Sequence, residues 1–243
     1  MSSVSTSAPK IGFDRYIPLN WMTGAMQVRA GISSRNELDA LIDSSELGKE
    51  ARKKTITVLN RLWLEPRQEL IDFADRGMAI YRANPKVSQT ALAWGVAIAV
   101  YPFFARIAEL VGRLTSLQGD CAASEVHRRM SEIYGEREGT TRMTNMALQS
   151  QANWGAIDRV GTVRRIVRVP AITLNDDALI AWLIEAALRF SAKAIPVASL
   201  GSMAVLYPFG LDRPLGVVVA GNANLELRSD GPGNQVVAIR EYE

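Results

Sequence analysis

The sequence predicts a mostly α-helical protein with small β elements, and three observations support this prediction. Apolar residues recur at spacings of three and four along much of the chain before residue 155, as on the buried faces of helices. The period changes to alternation over residues 157–169. Residues 210–243 contain short apolar runs separated by Gly, Asn and Pro, which indicates strands and turns. We therefore expect a helical N-terminal part, a central segment of helices and a hairpin, and a short C-terminal antiparallel sheet.

The N-terminal part is predicted to span residues 13–102, after a Ser-rich tail at residues 1–12 that we expect to be disordered. Gly31 is expected to end a first helix, because glycine readily takes the left-handed conformation at a helix C-terminus. Ser34 and Glu37 have the spacing of a capping box, which predicts the start of the next helix.

A longer helix is predicted from Gly48, and Pro66 is expected at the first position of the helix after it. The longer helix carries a basic cluster, for which a solvated helix face and an accessory phosphate contact are the alternatives. The run Ala91–Phe104 has no charge, but it is too short for a bilayer span, so we expect a buried helix and no membrane partner. The basic residues are Lys49, Arg52, Lys53 and Lys54.

The central segment, residues 103–170, is predicted to form three helices followed by a β-hairpin. Ser124 is placed as the N-cap of the second helix and Gly135 as its end. The third helix is expected to open at Gly139, and Gly161 with Thr162 is expected to form the hairpin turn.

The third helix and the hairpin carry side chains suited to nucleic acid. Arginine can form two hydrogen bonds with guanine, and Asn or Gln can do so with adenine. The guanidinium groups of the hairpin, opposed only by Asp158, are suited to phosphates or a narrow minor groove. An ordinary solvated helix face is the alternative. The predicted DNA-binding residues are Thr141, Arg142, Asn145, Gln149, Arg159, Arg164, Arg165 and Arg168.

The last segment, residues 171–243, is predicted to begin with a helix capped by Asn175. The apolar run 196–206 is expected to form another helix. Three strands are then expected to form the C-terminal sheet, at Leu215–Ala220, Asn224–Arg228 and Gln235–Tyr242.

Composition favours a cytoplasmic, non-enzymatic protein without cofactor or metal. The net charge of +3 and the pI near 9.1 are compatible with a polyanionic partner. One cysteine, Cys121, excludes a disulfide within the chain and fits a reducing compartment. His127 is the only histidine, so a histidine-based metal cluster is excluded, and the glycine-rich phosphate loops are absent from the sequence.

The central segment resembles the winged helix-turn-helix superfamily of DNA-binding proteins, through VHRRMSEIYG, TTRMTNMALQSQANWGAI and DRVGTVRRIVRV. The resemblance implies that the third helix enters the major groove and that the hairpin, the wing, touches the backbone or the minor groove.

The chain also resembles the BrxA-like accessory proteins of BREX phage-defence systems, through ARKKTITVLNRLWL and the helix-rich middle. The opening IGFDRYIPLNWMTGAMQV departs from that family's pattern, and so does the strand-like end. This resemblance implies a DNA-binding accessory protein in a multi-gene complex.

These observations predict a protein that binds double-stranded DNA, as a subunit of a defence or DNA-processing complex or as a transcriptional regulator. A homodimer formed through the helix at residues 177–192 is compatible with either role. The alternatives are a protein-docking scaffold whose winged segment does not touch DNA and a repressor that responds to a small ligand.

Overall fold

In a computed structural model, which describes residues 11–161 and 164–241, the chain is mostly α-helical with small β elements. The predicted tail, apart from Ile11 and Gly12, and the predicted turn residue Thr162 lie outside the described residues. The helices are α1 Leu19–Ala30, α2 Arg35–Asp43, α3 Lys49–Leu59, α4 Ile71–Ala83, α5 Gln89–Val100, α6 Pro102–Gln118, α7 Ala123–Tyr134, α8 Glu138–Asn153, α9 Asp177–Ser191 and α10 Leu215–Ala220. The strands are β1 Asp120–Ala122, β2 Ile157–Val160, β3 Arg165–Arg168, β4 Ile172–Leu174, β5 Ile195–Pro196, β6 Phe209–Leu211, β7 Leu225–Ser229 and β8 Gln235–Ile239.

Several helix boundaries follow the local signals in the sequence. Gly31 has a φ of 74° and its amide donates to the carbonyls of the last turn of α1, so the predicted end is confirmed. The capping box is confirmed as well, because the hydroxyl of Ser34 accepts from the amide of Glu37 and the carboxylate of Glu37 accepts from the amide of Ser34.

Three predicted helix starts were wrong. Ser124 is not a cap, because β1 runs directly into α7 and the helix begins at Ala123. The cap of α9 is Asp176 rather than Asn175, since the carboxylate of Asp176 accepts from the amide of Leu179 at 3.0 Å. Pro66 precedes a short 3-10 turn, and α4 begins only at Ile71.

The C-terminal antiparallel sheet is confirmed, but one of its strands was misplaced. Its order is β5-β8-β7, so the third strand is the short β5. The predicted strand at residues 215–220 is α10, which buries Val218 and Val219 and packs against α9, and this packing overrides the strand preference of valine. The run 196–206 forms two 3-10 helices, Val197–Ser202 and Ala204–Leu206, instead of an α-helix.

The central segment contains a strand that the sequence did not reveal. β1 pairs with β3, and β3 pairs with β2, which gives a three-stranded antiparallel sheet of order β1-β3-β2. The chain thus runs as helix, strand, helix, helix and hairpin from α6 to β3. The predicted order of three helices followed by a hairpin is present, with β1 between the first two helices; the hairpin β2–β3 is called the wing below.

One hydrophobic cluster extends through all three predicted parts of the chain and includes Phe13, Trp94, Trp154 and Trp182. The apolar run predicted to be buried forms α5 and the start of α6, and nearly all of α5 is inaccessible to solvent. No single helix of the described residues is long and apolar enough to cross a membrane; α5 and α6 satisfy that test only as a pair bent by 117°.

Candidate nucleic-acid interface

One face of α8 is exposed to solvent and the opposite face belongs to the core. Thr141, Arg142 and Gln149 are exposed, whereas Ala147 and Ser150 are fully buried. This division follows the helical period, so the polar residues predicted from the sequence do point outward. The exception is Asn145, which is only half-exposed because it contacts the wing.

The C-terminal end of α8 is held by the segment that precedes α1. The amide of Ile17 donates to Ser150 Oγ at 2.9 Å, and Trp154 Nε1 donates to the carbonyl of Ile17 at 2.9 Å. The amide of Leu19 donates to Asn153 Oδ1 at 2.7 Å. The exposed N-terminal half of α8 is therefore presented by a helix that is fixed at its other end.

Arg159 of the wing is bonded to α8. Its Nη2 donates to Asn145 Oδ1 at 2.8 Å, while its Nε is buried without a hydrogen-bond partner. Burial lowers the pKa of Arg159, and the nearby guanidinium of Arg164 lowers it further. The pair fixes the wing against the helix and occupies one acceptor site of Asn145 Oδ1.

Arg164 lies at the turn of the wing and is exposed. Its φ of 49° is in the left-handed region, which a residue other than glycine rarely occupies. The conformation is held by its amide, which donates to the carbonyl of Gly161, and by its carbonyl, which accepts from the amide of Ala123. Backbone strain of this kind concentrates at binding sites, so the guanidinium of Arg164 is a candidate contact group.

Two further predicted arginines, Arg165 and Arg168, also have partners within the chain. Arg165 forms two hydrogen bonds with the carboxylate of Asp120, which raise the pKa of Arg165 and lower that of Asp120. Arg168 donates to the hydroxyl of Thr115 and the carbonyl of Gly112. Both side chains anchor the three-stranded sheet, so we leave them out of the interface.

His127 and Arg137 were missed as interface residues by the sequence analysis. His127 is half-buried on α7, and burial lowers its pKa, with Arg159 and Arg164 as further causes. Arg137 is the exposed residue that precedes α8. Arg137 has an extended backbone and lies outside the helical period of α8, and only the fold brings His127 beside the wing.

The charges around this surface are mixed. Arg137, Arg142 and Arg164 have no ion-pair partner within the part of the chain that the structure describes. Two exposed carboxylates, Glu136 and Glu138, flank the start of α8 and are equally unpaired there. On α7, by contrast, the basic residues are engaged with carboxylates of the same helix: Arg128 with Glu125 and Glu132, and Arg129 with Glu125.

The remaining reactive side chains offer little chemistry. Cys121 is buried, and burial raises the pKa of its thiol to about 11, so it remains protonated at neutral pH. Among residues 11–161 and 164–241, no group of three or more His, Cys, Asp or Glu side chains is arranged to hold a metal ion. In the basic cluster of α3, Arg52 is paired with Asp43, while Lys53 and Lys54 are exposed.

Comparisons of the chain with protein-family models, with curated proteins and with solved structures found no match.

Proposed function

We propose that the protein binds double-stranded DNA, without catalysing a reaction on it, through α8 and the wing. The observation that carries this proposal is the contrast between two sets of arginines in the central segment. Among the residues that the structure describes, Arg142 and Arg164 on the outer face have no intramolecular partner, whereas Arg165 is bonded to Asp120 of β1 and Arg168 to α6. Desolvated or unpaired cations on one outward face favour a polyanion.

The geometry suggests a division of tasks between these side chains. Arg142 and Gln149 lie two turns apart on the exposed face of α8, where a helix in a major groove presents base-reading side chains. Arg164 at the turn of the wing and Arg137 immediately before α8 are both exposed and suit phosphate contacts. Thr141 is exposed, and its hydroxyl can donate a hydrogen bond to a base or to a phosphate.

The biological setting follows from the resemblances in the sequence. A cytoplasmic accessory subunit of a phage-defence or other DNA-processing system is the role we favour, with a transcriptional regulator as the second possibility. Either role is compatible with a second copy of the chain, because the two half-sites of a palindromic duplex require two recognition helices.

The decisive experiment is fluorescence anisotropy with a labelled random duplex at salt concentrations from about 50 to about 200 mM. Over this range, counterion release lowers the affinity of a DNA-binding protein strongly. We expect the logarithm of the affinity to fall with the logarithm of salt, with a slope of about 0.9 per neutralised phosphate. Arg142→Ala/Arg164→Ala should weaken binding by about tenfold or more, since each contact contributes about 1 kcal/mol or more.

A matched control removes two arginines elsewhere. Arg52→Ala/Arg213→Ala changes the net charge equally, but both residues are paired with aspartates outside the central segment. The control should retain most of the affinity. Equal losses in the two double variants, or a wild-type protein that does not bind duplex at low salt, would reject the proposed interface.

A further inference from the structure

A cavity of about 540 Å³ lies between α6, the end of the wing and the C-terminal segment. Its size falls within the range of small-molecule sites, which is roughly 300–1,000 Å³. The walls come from three stretches that are distant in sequence, near Gly112, near Arg168 and near Tyr207. The site therefore exists only in the folded chain.

The floor of the cavity is apolar, and its rim contains two serines beside the exposed Leu117. Leu200, Leu206 and Phe209 are buried side chains of the floor. Ser116 and Ser202 are exposed at the rim. A ligand with an apolar body would remove the floor from water and leave a polar group near the opening.

The charge of the walls has one sign. Arg113 and Arg168 line the cavity, and no aspartate or glutamate does. Arg113 is partly neutralised by Glu109 outside the cavity. Arg168 is half-buried and bonded only to uncharged acceptors, a hydroxyl and a carbonyl, while its side chain stacks 5.2 Å from the ring centre of Tyr207.

Within the described residues the Nη1 of Arg168 has no hydrogen-bond partner. A half-buried cation without a counter-charge favours an anion in its surroundings, and guanidinium binds carboxylates well. We propose that this cavity is a binding site for a small amphipathic carboxylate, with the carboxylate on Arg168 and the apolar body on the floor.

The site is also connected to the proposed DNA interface. Tyr207 Oη donates to Oε1 of Gln151 at 3.0 Å, and Gln151 is a fully buried residue of α8 whose Nε2 has no partner in the described part of the chain. Arg168 itself belongs to β3 of the wing. A ligand on Arg168 and Tyr207 would thus touch β3 directly and reach α8 only through Tyr207, and its effect on duplex binding is the one part of this inference that rests on the proposed function.

Isothermal titration calorimetry with sodium octanoate tests the site without DNA. We expect saturable binding of one octanoate per chain and about tenfold weaker binding of octanol, which has the same apolar body but no charge. Arg168→Gln should weaken octanoate binding by about tenfold, the size of one charge-assisted hydrogen bond. Ser116→Trp, which changes only the exposed rim, should obstruct the opening, and Ser124→Trp on the exposed side of α7 is its matched control.

Absence of saturable octanoate binding to the wild-type protein, or equal binding to the Ser116→Trp and Ser124→Trp variants, would overturn the site. Duplex anisotropy with and without octanoate then tests the connection to α8. If octanoate binds and the duplex affinity is unchanged, the connection is rejected and the site stands. If the wild-type protein binds octanoate but no duplex, the DNA proposal fails and the cavity remains a carboxylate site.

Discussion

Glu185 is a carboxylate with 1% of its surface exposed, and two arginines compensate its burial. Arg76 of α4 donates twice to it, at 2.6 and 2.9 Å, and Arg189 donates twice from the next turn of α9, at 3.0 and 2.8 Å. Both guanidinium groups also lie over the ring of Phe73. The cluster joins α4 to α9 through charges that have few other partners.

We expect Glu185→Ala to lower the free energy of unfolding by about 3 kcal/mol, because it leaves Arg189 without a counter-charge and leaves Arg76 with only the exposed Asp72. Urea denaturation followed by far-UV circular dichroism measures the change. Asp43→Asn, which breaks the exposed pair with Arg52, is the matched control and should change the midpoint little. A similar small effect of both substitutions would show that the Glu185 cluster adds nothing to stability.

His127 provides a pH-dependent prediction. Its pKa in the folded protein is lowered from the ordinary value of 6.5, first by burial and then by Arg159 and Arg164. The unfolded chain therefore takes up this proton at a higher pH than the folded chain. The contribution of neutral His127 to the free energy of unfolding is fully present above about pH 6.5. It is lost as the pH falls through the pKa of the unfolded chain toward the lowered pKa of the folded chain.

Thermal unfolding between pH 7.5 and pH 5.5, about the range in which histidine titrates, should show this loss in the wild-type protein. His127→Gln should show a flatter profile over the same range. Parallel profiles for the two proteins would mean that other groups cause the dependence.

The sequence was sufficient to predict those features of the secondary-structure elements whose signals come from neighbouring residues. The capping box of α2, Gly31 after α1 and the alternation of β2 and β3 depend on residues that are neighbours in the chain. β1 and α10 could not be predicted, because three residues form a strand only when β3 lies beside them, and the valines of α10 become helical only by packing on α9.

The same distinction applies to the candidate site. The helical period was enough to place Arg142 and Gln149 on the outside of α8. The alternation of the hairpin was not enough to tell Arg164 from Arg168, because the partners of Arg168 lie more than fifty residues earlier, on α6. Contacts between distant segments decide which cations remain available.

The approach of α6 to the 3-10 helix at residues 204–206 is a second feature that depends on distant residues. A Cβ atom on Gly112 would lie 2.0 Å from the carbonyl oxygen of Ala204, which is backbone and cannot turn away. Gly112→Ala should therefore destabilise the protein by about 2 kcal/mol, although alanine is the better helix former.

Gly139 in the first turn of α8 is the control, since nothing lies within 4 Å of its Cβ position. Gly139→Ala should be neutral or stabilising by up to about 1 kcal/mol. Urea midpoints of the two variants measure the contrast. Equal urea midpoints for Gly112→Ala and Gly139→Ala would show that α6 and the 3-10 helix can move apart without a loss of stability.

At the scale of the molecule, three buried tryptophans connect segments that are far apart in sequence. Trp94 Nε1 donates to the carbonyl of Val205, Trp154 Nε1 to that of Ile17, and Trp182 Nε1 to that of Phe73, each at 2.9 Å. Each bond joins two of the parts predicted from the sequence. The hydrophobic cluster around these rings is continuous.

We therefore expect one cooperative unfolding transition for the whole chain. Tryptophan fluorescence and far-UV circular dichroism should give coincident urea curves. A chain ending at residue 170 should lose the native fluorescence, because it lacks the partners of Trp94 and the Trp182 side chain. Two separate transitions, or a folded shortened chain, would instead support independent domains.

The bonds between the segment before α1 and the end of α8 also constrain the order of folding. Ile17 and its partner Ser150 are separated by 133 positions in the chain. During synthesis, the segment before α1 leaves the ribosome long before the end of α8 has been made. Until then it lacks its native contacts. Contacts of such long range slow folding, and the exposed aromatic ring of Phe13 would meanwhile be available to chaperones.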